Sequence, residues 1–367
     1  MTTRTLDMAN VIASDVTIAG DKTLSGDITF SGDVIPSTPL SHRNKIINGN
    51  FDIWQRGTTF NSSTSTAHYS ADRWAYYNYQ QGSTTVVTRQ AFTVGQTDVP
   101  GEPKYYLRHT LGSSNQEWWV YQRIEDVHTF AGQTATLSLW MKSSSAQTVR
   151  LRLHQNFGSG GSSIVYSSTT DCSVTTSWTK FTATITPASI SGKTIGTSSY
   201  LSADIGSLGA TAVASSSVDI AQVQLELGDN ATPFEHRTLQ DELLRCQRYF
   251  YMVGGDAGDD PAGASGHQRN YIVGRTSNTN AMYCAPPSAV PMRSTPTVGN
   301  FLGSFNINCI NKDGATNLNT QPTVDTYNNG KPGNTVGNMY LSGGSGLTDG
   351  RVCCARINAP ITFDSEL

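Results

Sequence analysis

Alternation of apolar and polar residues is the feature that most constrains this chain. The stretches Ala135–Met141 and Thr148–Leu153 place an apolar side chain at every second position. Because successive side chains point to opposite faces of a strand, this spacing predicts β-strands with one buried face. Gly and Ser break up many such stretches between residue 44 and about residue 235. Residues 44–236 are therefore predicted to form a β-sandwich or jelly roll.

The residues before the sandwich carry a different pattern. Gly-Asp pairs begin at positions 20, 26 and 32, among isolated apolar residues. One copy of such a repeat cannot bury its apolar side, so residues 1–43 predict a fibrous β stalk in which several chains wind together. A flexible linker with chance Gly-Asp pairs is the alternative.

Composition restricts the partners of the chain. Charged residues make up 14% of it and the net charge is -3, so we expect neither nucleic acid nor an anionic membrane as a partner. Membrane insertion is not expected either, since no stretch approaches about 20 apolar residues. The first residues lack the apolar core of a signal peptide, which predicts a chain that is not exported by the usual route. Six irregularly spaced cysteines predict reduced thiols.

One helix and a second β region are predicted after the sandwich. Thr238 is placed to cap a helix, and Leu239, Leu243, Cys246 and Phe250 then recur at spacings of three and four. The connecting helix is thus assigned to residues 237–253, and we expect its apolar stripe to pack on the parent sandwich. Prolines and short strand-like stretches in residues 254–367 predict a small C-terminal β domain.

Several motifs resemble one known family. They are Asn44–Gly57, Tyr69–Trp74, Gln122–Asp126, Leu137–Lys142, Ser177-Trp178, Val223–Gly228, Ala231–Glu235, Leu244–Phe250 and Ile361–Leu367. Together they resemble bacteriophage tail fibre proteins that contain a carbohydrate-binding-module-like jelly roll. The resemblance covers residues 44–252 well, the C-terminal region loosely and the repeat segment hardly at all. Residues 254–349 match no pattern that we can name.

This resemblance implies a function in the virion. Members of the family are homotrimeric fibres that contact other virion tail proteins and bind host surface glycans, and they are assembled in the host cytoplasm. The neutral polar surface expected from the many Ser, Thr and Asn residues agrees with a glycan partner. A purely structural virion component, either a capsid decoration or a fibre connector, is the alternative function. A polysaccharide depolymerase is a third.

Carbohydrate binding by a sandwich requires flat aromatic rings, whose apolar faces stack on a sugar ring. Two clusters supply such rings, and they are Trp118, Trp119 and Tyr121 in one stretch and Tyr76, Tyr77 and Tyr79 in the other. In a strand, Trp118 and Trp119 point to opposite faces, so at least one of these indoles is expected to leave the core. Burial of both, one of them at a subunit contact, is the alternative. The indoles expected in the core are Trp54, Trp74, Trp140 and Trp178.

No cofactor is required for this function, but sandwiches of this kind often carry a structural calcium ion. The matching oxygen donors here are Asn50, Asp52 and Asp219. Calcium takes six to eight oxygen ligands, so three candidates are thin support. Surface or salt-bridge roles for Asp52 and Asp219 are the alternative.

Catalysis is not expected. Glycoside hydrolysis needs two carboxylates at a fixed separation across a cleft. The sequence offers Glu117, Glu125, Asp126, Asp259 and Asp260. Nothing in their spacing pairs two of them, and no serine nucleophile motif or phosphate-binding loop occurs.

Overall fold

A computed structural model describes most of the chain. The described residues are 41–79, 84–113, 117–207, 213–253, 271–278, 281–284, 290–294, 296–300, 307–311, 314–318, 323–324, 339–342, 350, 352–357 and 361–367. The predicted repeat in residues 1–40 lies outside this part of the chain, as do Asp259 and Asp260. The homotrimer accordingly stays a prediction.

Thirteen strands form a sandwich of two antiparallel sheets. They are β1 (Thr59–Ser62), β2 (His68–Tyr69), β3 (Ala75–Asn78), β4 (Thr85–Ala91), β5 (Tyr105–Thr110), β6 (Trp118–Glu125), β7 (Ala135–Ser143), β8 (Gln147–Asn156), β9 (Val165–Tyr166), β10 (Thr170–Val174), β11 (Thr179–Ile185), β12 (Tyr200–Ser207) and β13 (Ser217–Leu227). The first sheet has the strand order β1-β4-β5-β13-β7-β11. The second sheet has the order β10-β8-β12-β6-β3-β2, and β9 pairs with β8. The predicted β-sandwich is confirmed.

The alternation read from the sequence produces the core. Buried and half-buried residues alternate along all ten positions of β8. Its inward side chains Val149, Leu151 and Leu153 join Leu137 and Leu139 of β7 in one apolar cluster between the sheets. The remaining residues of the same strands form two outer faces, one on each sheet. Functional side chains are therefore to be sought on these outer faces.

The predicted helix is present but shorter than expected. Helix α1 spans Leu239–Gln247, and the Thr238 hydroxyl accepts a hydrogen bond from the backbone N–H of Asp241 at 3.2 Å. This confirms the predicted cap. The helix contacts the parent sandwich, since Glu242 accepts a hydrogen bond from the backbone N–H of Asn48. The predicted apolar stripe packs only in part, because Cys246 is buried but Leu239 is 61% exposed. The prediction that Phe250 belongs to the helix is wrong. The helix ends at Gln247, and Phe250 is the first residue of a strand. None of the helices within the described residues is long and apolar enough to cross a membrane.

Within the described residues, ten further strands form the C-terminal β region. They are β14 (Phe250–Val253), β15 (Tyr271–Asn278), β16 (Ala281–Cys284), β17 (Thr297–Asn300), β18 (Ile307–Asn311), β19 (Gly314–Leu318), β20 (Thr323–Val324), β21 (Met339–Ser342), β22 (Val352–Ile357) and β23 (Ile361–Asp364). One sheet has the order β14-β23-β17, and the other has the order β19-β18-β22-β15-β16-β21-β20. The described part of this region is thus built of β-strands, as predicted.

Buried arginines join the C-terminal region to the sandwich. The guanidinium of Arg73 pairs with Glu366 and lies 3.4 Å from the centroid of the Tyr249 ring. Arg56 pairs with Asp364 at 3.2 Å and with Glu366 at 3.3 Å. Because Arg56, Arg73 and Glu366 are almost fully buried, removing one partner would leave an uncompensated charge. The last described residues are thereby held against the second sheet.

Candidate functional site

The outer face of the second sheet carries an open groove of 350 Å³. Side chains of β6, β12 and β8 stand in rows across its floor. In one row Tyr121 lies beside Asp204, which lies beside Arg152. In the next row His154 lies beside Tyr166 of β9. The residues that line the groove are Ala67, Tyr77, Glu117, Trp119, Tyr121, Arg123, Arg152, His154, Tyr166 and Asp204.

Trp119 forms the base of the groove. Its indole lies against Gly206 of β12, where an added Cβ would stand 2.6 Å from Trp119 Cε3 and 2.1 Å from the backbone oxygen of Trp118. The guanidinium of Arg152 stacks on the indole, with Cζ 3.9 Å from the ring centroid. The Trp119 Nε1–H donates a hydrogen bond to Glu117 Oε1 at 2.9 Å. With only 4% of its surface exposed, Trp119 supports the groove from below.

Asp204 organises the charged side chains of the groove. Its Oδ2 accepts hydrogen bonds from Arg152 Nε and His154 Nδ1, both at 2.8 Å. Its Oδ1 accepts a hydrogen bond from the Ser202 hydroxyl at 2.6 Å. Burial alone raises the pKa of Asp204, but the hydrogen bond from His154 and the charges of His154 and Arg152 outweigh it. The pKa of Asp204 therefore lies below its ordinary value, and the carboxylate stays ionised and holds both bases in place.

Two tyrosines present rings to solvent. Tyr166 is 55% exposed and Tyr77 is half-buried. Arg152 lies 4.7 Å from the centroid of the Tyr166 ring, and the His154 ring centroid lies 5.3 Å from it. Tyr166 is therefore positioned by groups that Asp204 itself fixes. The exposed aromatic surface of the groove rests on an ordered polar layer.

Arg123 connects the groove to the C-terminal region. Its guanidinium lies 5.3 Å from the Tyr121 ring centroid and 4.8 Å from that of Tyr200. Its Nη1 donates a hydrogen bond to the backbone oxygen of Leu367, which also accepts one from the Tyr69 hydroxyl at 2.9 Å. One side of the groove is therefore braced by the segment that follows β23.

The structure brings together three of the six residues predicted for carbohydrate contact. Trp119, Tyr121 and Tyr77 line the groove. Trp118 and Tyr76 are 0% and 2% exposed and belong to the core between the sheets, so their assignment as contact residues is wrong. Strand alternation explains the burial of Trp118 and Tyr76. Their neighbours Trp119 and Tyr77 face outward, so Trp118 and Tyr76 point inward.

Tyr79, the sixth predicted contact residue, is neither in the core nor in the groove. It is 58% exposed but does not line the groove, since it follows the end of β3. Of the four indoles expected in the core, Trp54 and Trp74 belong to it, whereas Trp140, on the outer face of the first sheet, and Trp178 are half-buried outside it.

Sequence reasoning missed the polar half of the groove. Arg152 and His154 stand at outward positions of β8, where the alternation Arg150, Arg152, His154 is visible in the sequence. That signal was available, because the same alternation located the core. Asp204 gave no comparable signal, since its partners lie 50 and 52 residues away in the chain.

The predicted calcium ligands do not come together. Asp219 accepts hydrogen bonds from Arg108 Nε at 2.7 Å and Nη2 at 2.8 Å. The prediction that Asp219 is a calcium ligand is therefore wrong, and the alternative, that it forms a salt bridge, is correct. Asn50 donates a hydrogen bond from Nδ2 to Asp52 Oδ2 at 2.9 Å. The remaining oxygens, Asn50 Oδ1 and Asp52 Oδ1, are buried and have no hydrogen-bond partner among the described residues.

Those two oxygens suit a cation, but they are too few for calcium, which takes six to eight. Among the described residues no group of three or more His, Cys, Asp or Glu side chains is arranged to hold a metal ion. Burial raises the pKa of Asp52 more than the Asn50 hydrogen bond and the charges of Lys104 and His236 lower it. A structural calcium at Asn50 and Asp52 stays a prediction.

Of the carboxylates considered for hydrolysis, Glu117 and Glu125 are far apart. Glu117 immediately precedes β6 and Glu125 ends it, so about 26 Å of strand separates them at 3.3 Å per residue. Glycosidase carboxylates stand no more than about 10 Å apart. Glu125 instead pairs with Arg248 at 3.0 Å. Asp126 lies 2.5 Å from His128 Nδ1 on the surface.

Comparison with known proteins gives distant structural likenesses. No protein-family profile matches the chain, and no curated protein sequence matches it. A carbohydrate-binding module, TmCBM61, solved with β-1,4-galactotriose, aligns at a TM-score of 0.29 and 11% identity over 51% of this chain and 99% of its own. The N-terminal cellulose-binding domain of β-1,4-glucanase C from Cellulomonas fimi aligns at 0.28 and 18% over 40% of this chain and 90% of its own.

A phage protein is also among the likenesses. The enzymatically active domain of tailspike protein 4 from bacteriophage CBA120 aligns at a TM-score of 0.29 and 12% identity, over 50% of this chain and 21% of its own. The present chain thus covers about a fifth of that tailspike domain. At such TM-scores these likenesses carry no argument about what this chain binds.

Proposed function

We propose that the groove on the second sheet binds a neutral glycan, and that the protein uses it to attach to a host cell surface. The observation that carries the proposal is the exposed ring of Tyr166 and the half-buried ring of Tyr77 above a floor of fixed hydrogen-bonding groups. Tyrosine faces stack on the C–H face of a pyranose, and the polar groups orient its hydroxyls.

The polar groups keep hydrogen-bonding capacity for a ligand. Among its contacts with described residues, Arg152 hydrogen-bonds to Asp204 through Nε, and a guanidinium carries four further N–H donors. Glu117 uses Oε1 for Trp119, and a carboxylate has about four acceptor positions. Donors and acceptors of this kind match the hydroxyl groups of a sugar.

Charge balance favours a ligand without net charge. Apart from His154, which is hydrogen-bonded to Asp204, the charged lining residues are two arginines, Arg123 and Arg152, and two carboxylates, Glu117 and Asp204. Since both signs are present in equal number, the groove offers no net field for an anion. We therefore expect neutral hexose units to be preferred.

A glycan array of neutral microbial oligosaccharides tests this site. The double variant Tyr77→Ala/Tyr166→Ala is expected to bind the best glycan at least about tenfold more weakly than the original protein, because it loses both stacking rings. Tyr79→Ala is the matched control, since this tyrosine is equally exposed but lies outside the groove. Absence of binding by the original protein, or an equal loss in Tyr79→Ala, would contradict the proposal.

The proposed biological setting is a phage tail fibre. Two features of the sequence support it. Residues 44–252 resemble tail fibre proteins, and the Gly-Asp repeat is expected to bury its apolar side only when several chains associate. In this proposal the protein is a homotrimer in the virion, is assembled in the host cytoplasm and contacts other virion tail proteins. Sedimentation equilibrium should give three times the 39.5 kDa chain mass, and a stable monomer would defeat the trimer.

A purely structural virion role is the competing proposal. It is favoured by the burial of Trp118, Trp119 and Tyr76, because buried rings cannot stack on a glycan. Competition for adsorption separates the two roles: saturating free protein should block attachment of the phage to its host if the groove is adhesive. Unchanged adsorption would favour the structural role.

A further inference from the structure

A second pocket of 480 Å³ lies on the outer face of the first sheet. It forms beside a bulge in β13, which pairs with Trp140 and Ser138 of β7 on either side of the irregularity. Within the bulge Gln222 adopts a φ of 47°, and its side-chain amide donates a hydrogen bond to the backbone oxygen of Pro100 at 2.7 Å. The bulge thereby opens the sheet surface next to the Trp140 indole.

The segment after β13 forms one wall of this pocket with the ring of Phe234. Two sets of hydrogen bonds fix that segment. On one side, the backbone N–H and the hydroxyl of Thr232 donate to Glu226 at 2.9 and 2.7 Å. On the other, the backbone N–H of Glu235 donates to Gln224 Oε1 at 2.8 Å. The pocket is therefore preformed, as ligand pockets usually are.

His236 completes the aromatic wall. Its ring lies edge-on to Phe234 with a centroid separation of 5.0 Å. Gly101 permits its position, because an added Cβ there would stand 2.8 Å from His236 Nε2. The pocket thus combines the ring of Trp140 with those of Phe234 and His236.

Charge distinguishes this pocket from the groove. Its lining residues include Lys180 and His236 but no carboxylate. Lys180 stands opposite Trp140 in the register of β11 and β7, is exposed and makes no ion pair within the described part of the chain. Its Nζ lies 3.4 Å from the backbone oxygen of Thr232, which is a weak, uncharged contact. An unpaired ammonium beside apolar rings favours an anionic ring-shaped ligand.

We propose that this pocket binds an acidic sugar unit, a hexuronic acid, within a polysaccharide. The indole of Trp140 contacts the apolar face of the sugar ring, and Ser138 and Gln222 offer neutral hydrogen bonds to its hydroxyls. The ammonium of Lys180 pairs with the sugar carboxylate. This pocket lies on the first sheet and the groove lies on the second. Binding at the pocket can therefore be tested independently of the function proposed above.

Protein-observed NMR titration of the full chain tests this proposal. The probes are the methyl glycosides of D-glucuronic, D-galacturonic and D-mannuronic acid, and the methyl ester of each, which keeps the ring and removes the charge. At least one acid is expected to bind about fivefold more tightly than its ester, because only the acid forms an ion pair with the exposed Lys180 ammonium. Lys180→Gln should remove that difference, and Trp140→Ala should abolish binding of acid and ester alike.

The outcomes are decisive in both directions. Binding by none of the acids overturns the proposal, as does an acid-over-ester preference that survives in Lys180→Gln. Lys180 is exposed, so this variant should fold even if Trp140→Ala does not. The double variant Tyr77→Ala/Tyr166→Ala should bind the acid as the original protein does, and a parallel loss would place the acid in the groove instead.

Discussion

The groove on the second sheet and the pocket on the first sheet both combine aromatic rings with basic side chains, yet they differ in how charge is paired. In the groove, Asp204 accepts hydrogen bonds from Arg152 and His154. In the pocket, Lys180 has no ion-pair partner among the described residues. Because paired charges largely cancel at a distance, the groove suits a neutral ligand and the pocket an anionic one.

The two sites also differ in how the sheet builds them. The groove lies on regular strands, where Tyr121, Asp204 and Arg152 occupy one row across the second sheet. The pocket lies beside an interruption of β13, and its wall comes from a connecting segment that carries Phe234. A regular face yields a shallow surface with many contacts between its own side chains. Beside the interrupted strand, the connecting segment encloses a pocket next to Trp140 of β7 and Lys180 of β11.

Removing Asp204 tests the difference in charge pairing with the largest expected effect. Asp204→Ala should lower the free energy of unfolding by about 3 kcal/mol, because it leaves Arg152 and His154 without their buried partner. Lys180→Ala on the other face should change it by less than about 0.5 kcal/mol, since the ammonium is unpaired and exposed. Urea denaturation of both variants checks this.

A second aspartate on the same sheet controls for the loss of an acidic residue. Asp171 pairs with Arg150 at 2.9 Å but is 54% exposed. Asp171→Ala should therefore cost no more than about 0.5 kcal/mol. If Asp204→Ala is equally mild, the groove does not depend on a buried ionic network.

Adding a methyl group at one glycine on each face tests the difference in construction. Gly206→Ala should destabilise the protein by about 2 kcal/mol, since the new Cβ meets the backbone oxygen of Trp118 and the indole of Trp119. Gly101→Ala should cost about 1 kcal/mol, which is the strain of its φ of 78°, because the His236 side chain can move aside. Thermal melts give the order, and a larger effect at Gly101 would contradict it.

A buried histidine in the core between the two sheets limits the pH range in which the protein is fully stable, and so the range in which binding at the two faces can be compared. His109 is fully buried 5.0 Å from the Trp118 ring centroid, and neither ring nitrogen has a hydrogen-bond partner among the described residues. Burial lowers the pKa of His109 to about 3, from an ordinary value of 6.5. Below pH 6.5 the unfolded chain therefore binds a proton that the folded chain excludes, so stability is complete above that pH and falls towards pH 3.

The expected loss between pH 7 and pH 5 is about 2 kcal/mol from this histidine alone. His109→Leu should remove that part of the pH dependence, as seen by urea denaturation at both pH values. His42→Leu is the control, since this exposed side chain makes no ion pair among the described residues. An unchanged pH dependence in His109→Leu would show that the imidazole is not excluded from water.

What the sequence could predict follows from the range of the interactions involved. Alternation is local, so it located β7 and β8, and it put Trp119 and Tyr121 on one face of β6 without deciding which face is outward. The position of Tyr166 beside His154 depends on the pairing of β9 with β8, which brings separate parts of the chain together. The same limit produced the error at Asp219, whose partners Arg108 and Lys142 stand beside it only through strand register.

Salt dependence is the smallest of the expected differences between the two faces, and it separates the proposed ligands most directly. Raising the ionic strength from 0.05 to 0.5 M should weaken uronic acid binding at Lys180 by about threefold, because salt screens an exposed charge pair. Binding of a neutral glycan in the groove should change by less than about 1.5-fold, since the Arg152–Asp204 pair is mostly buried and is not formed with the ligand. NMR titrations at both salt concentrations check the two values. Equal salt sensitivity on both faces would mean that both sites bind their ligand through its charge. The difference in charge pairing between the groove and the pocket would then have no effect on ligand choice.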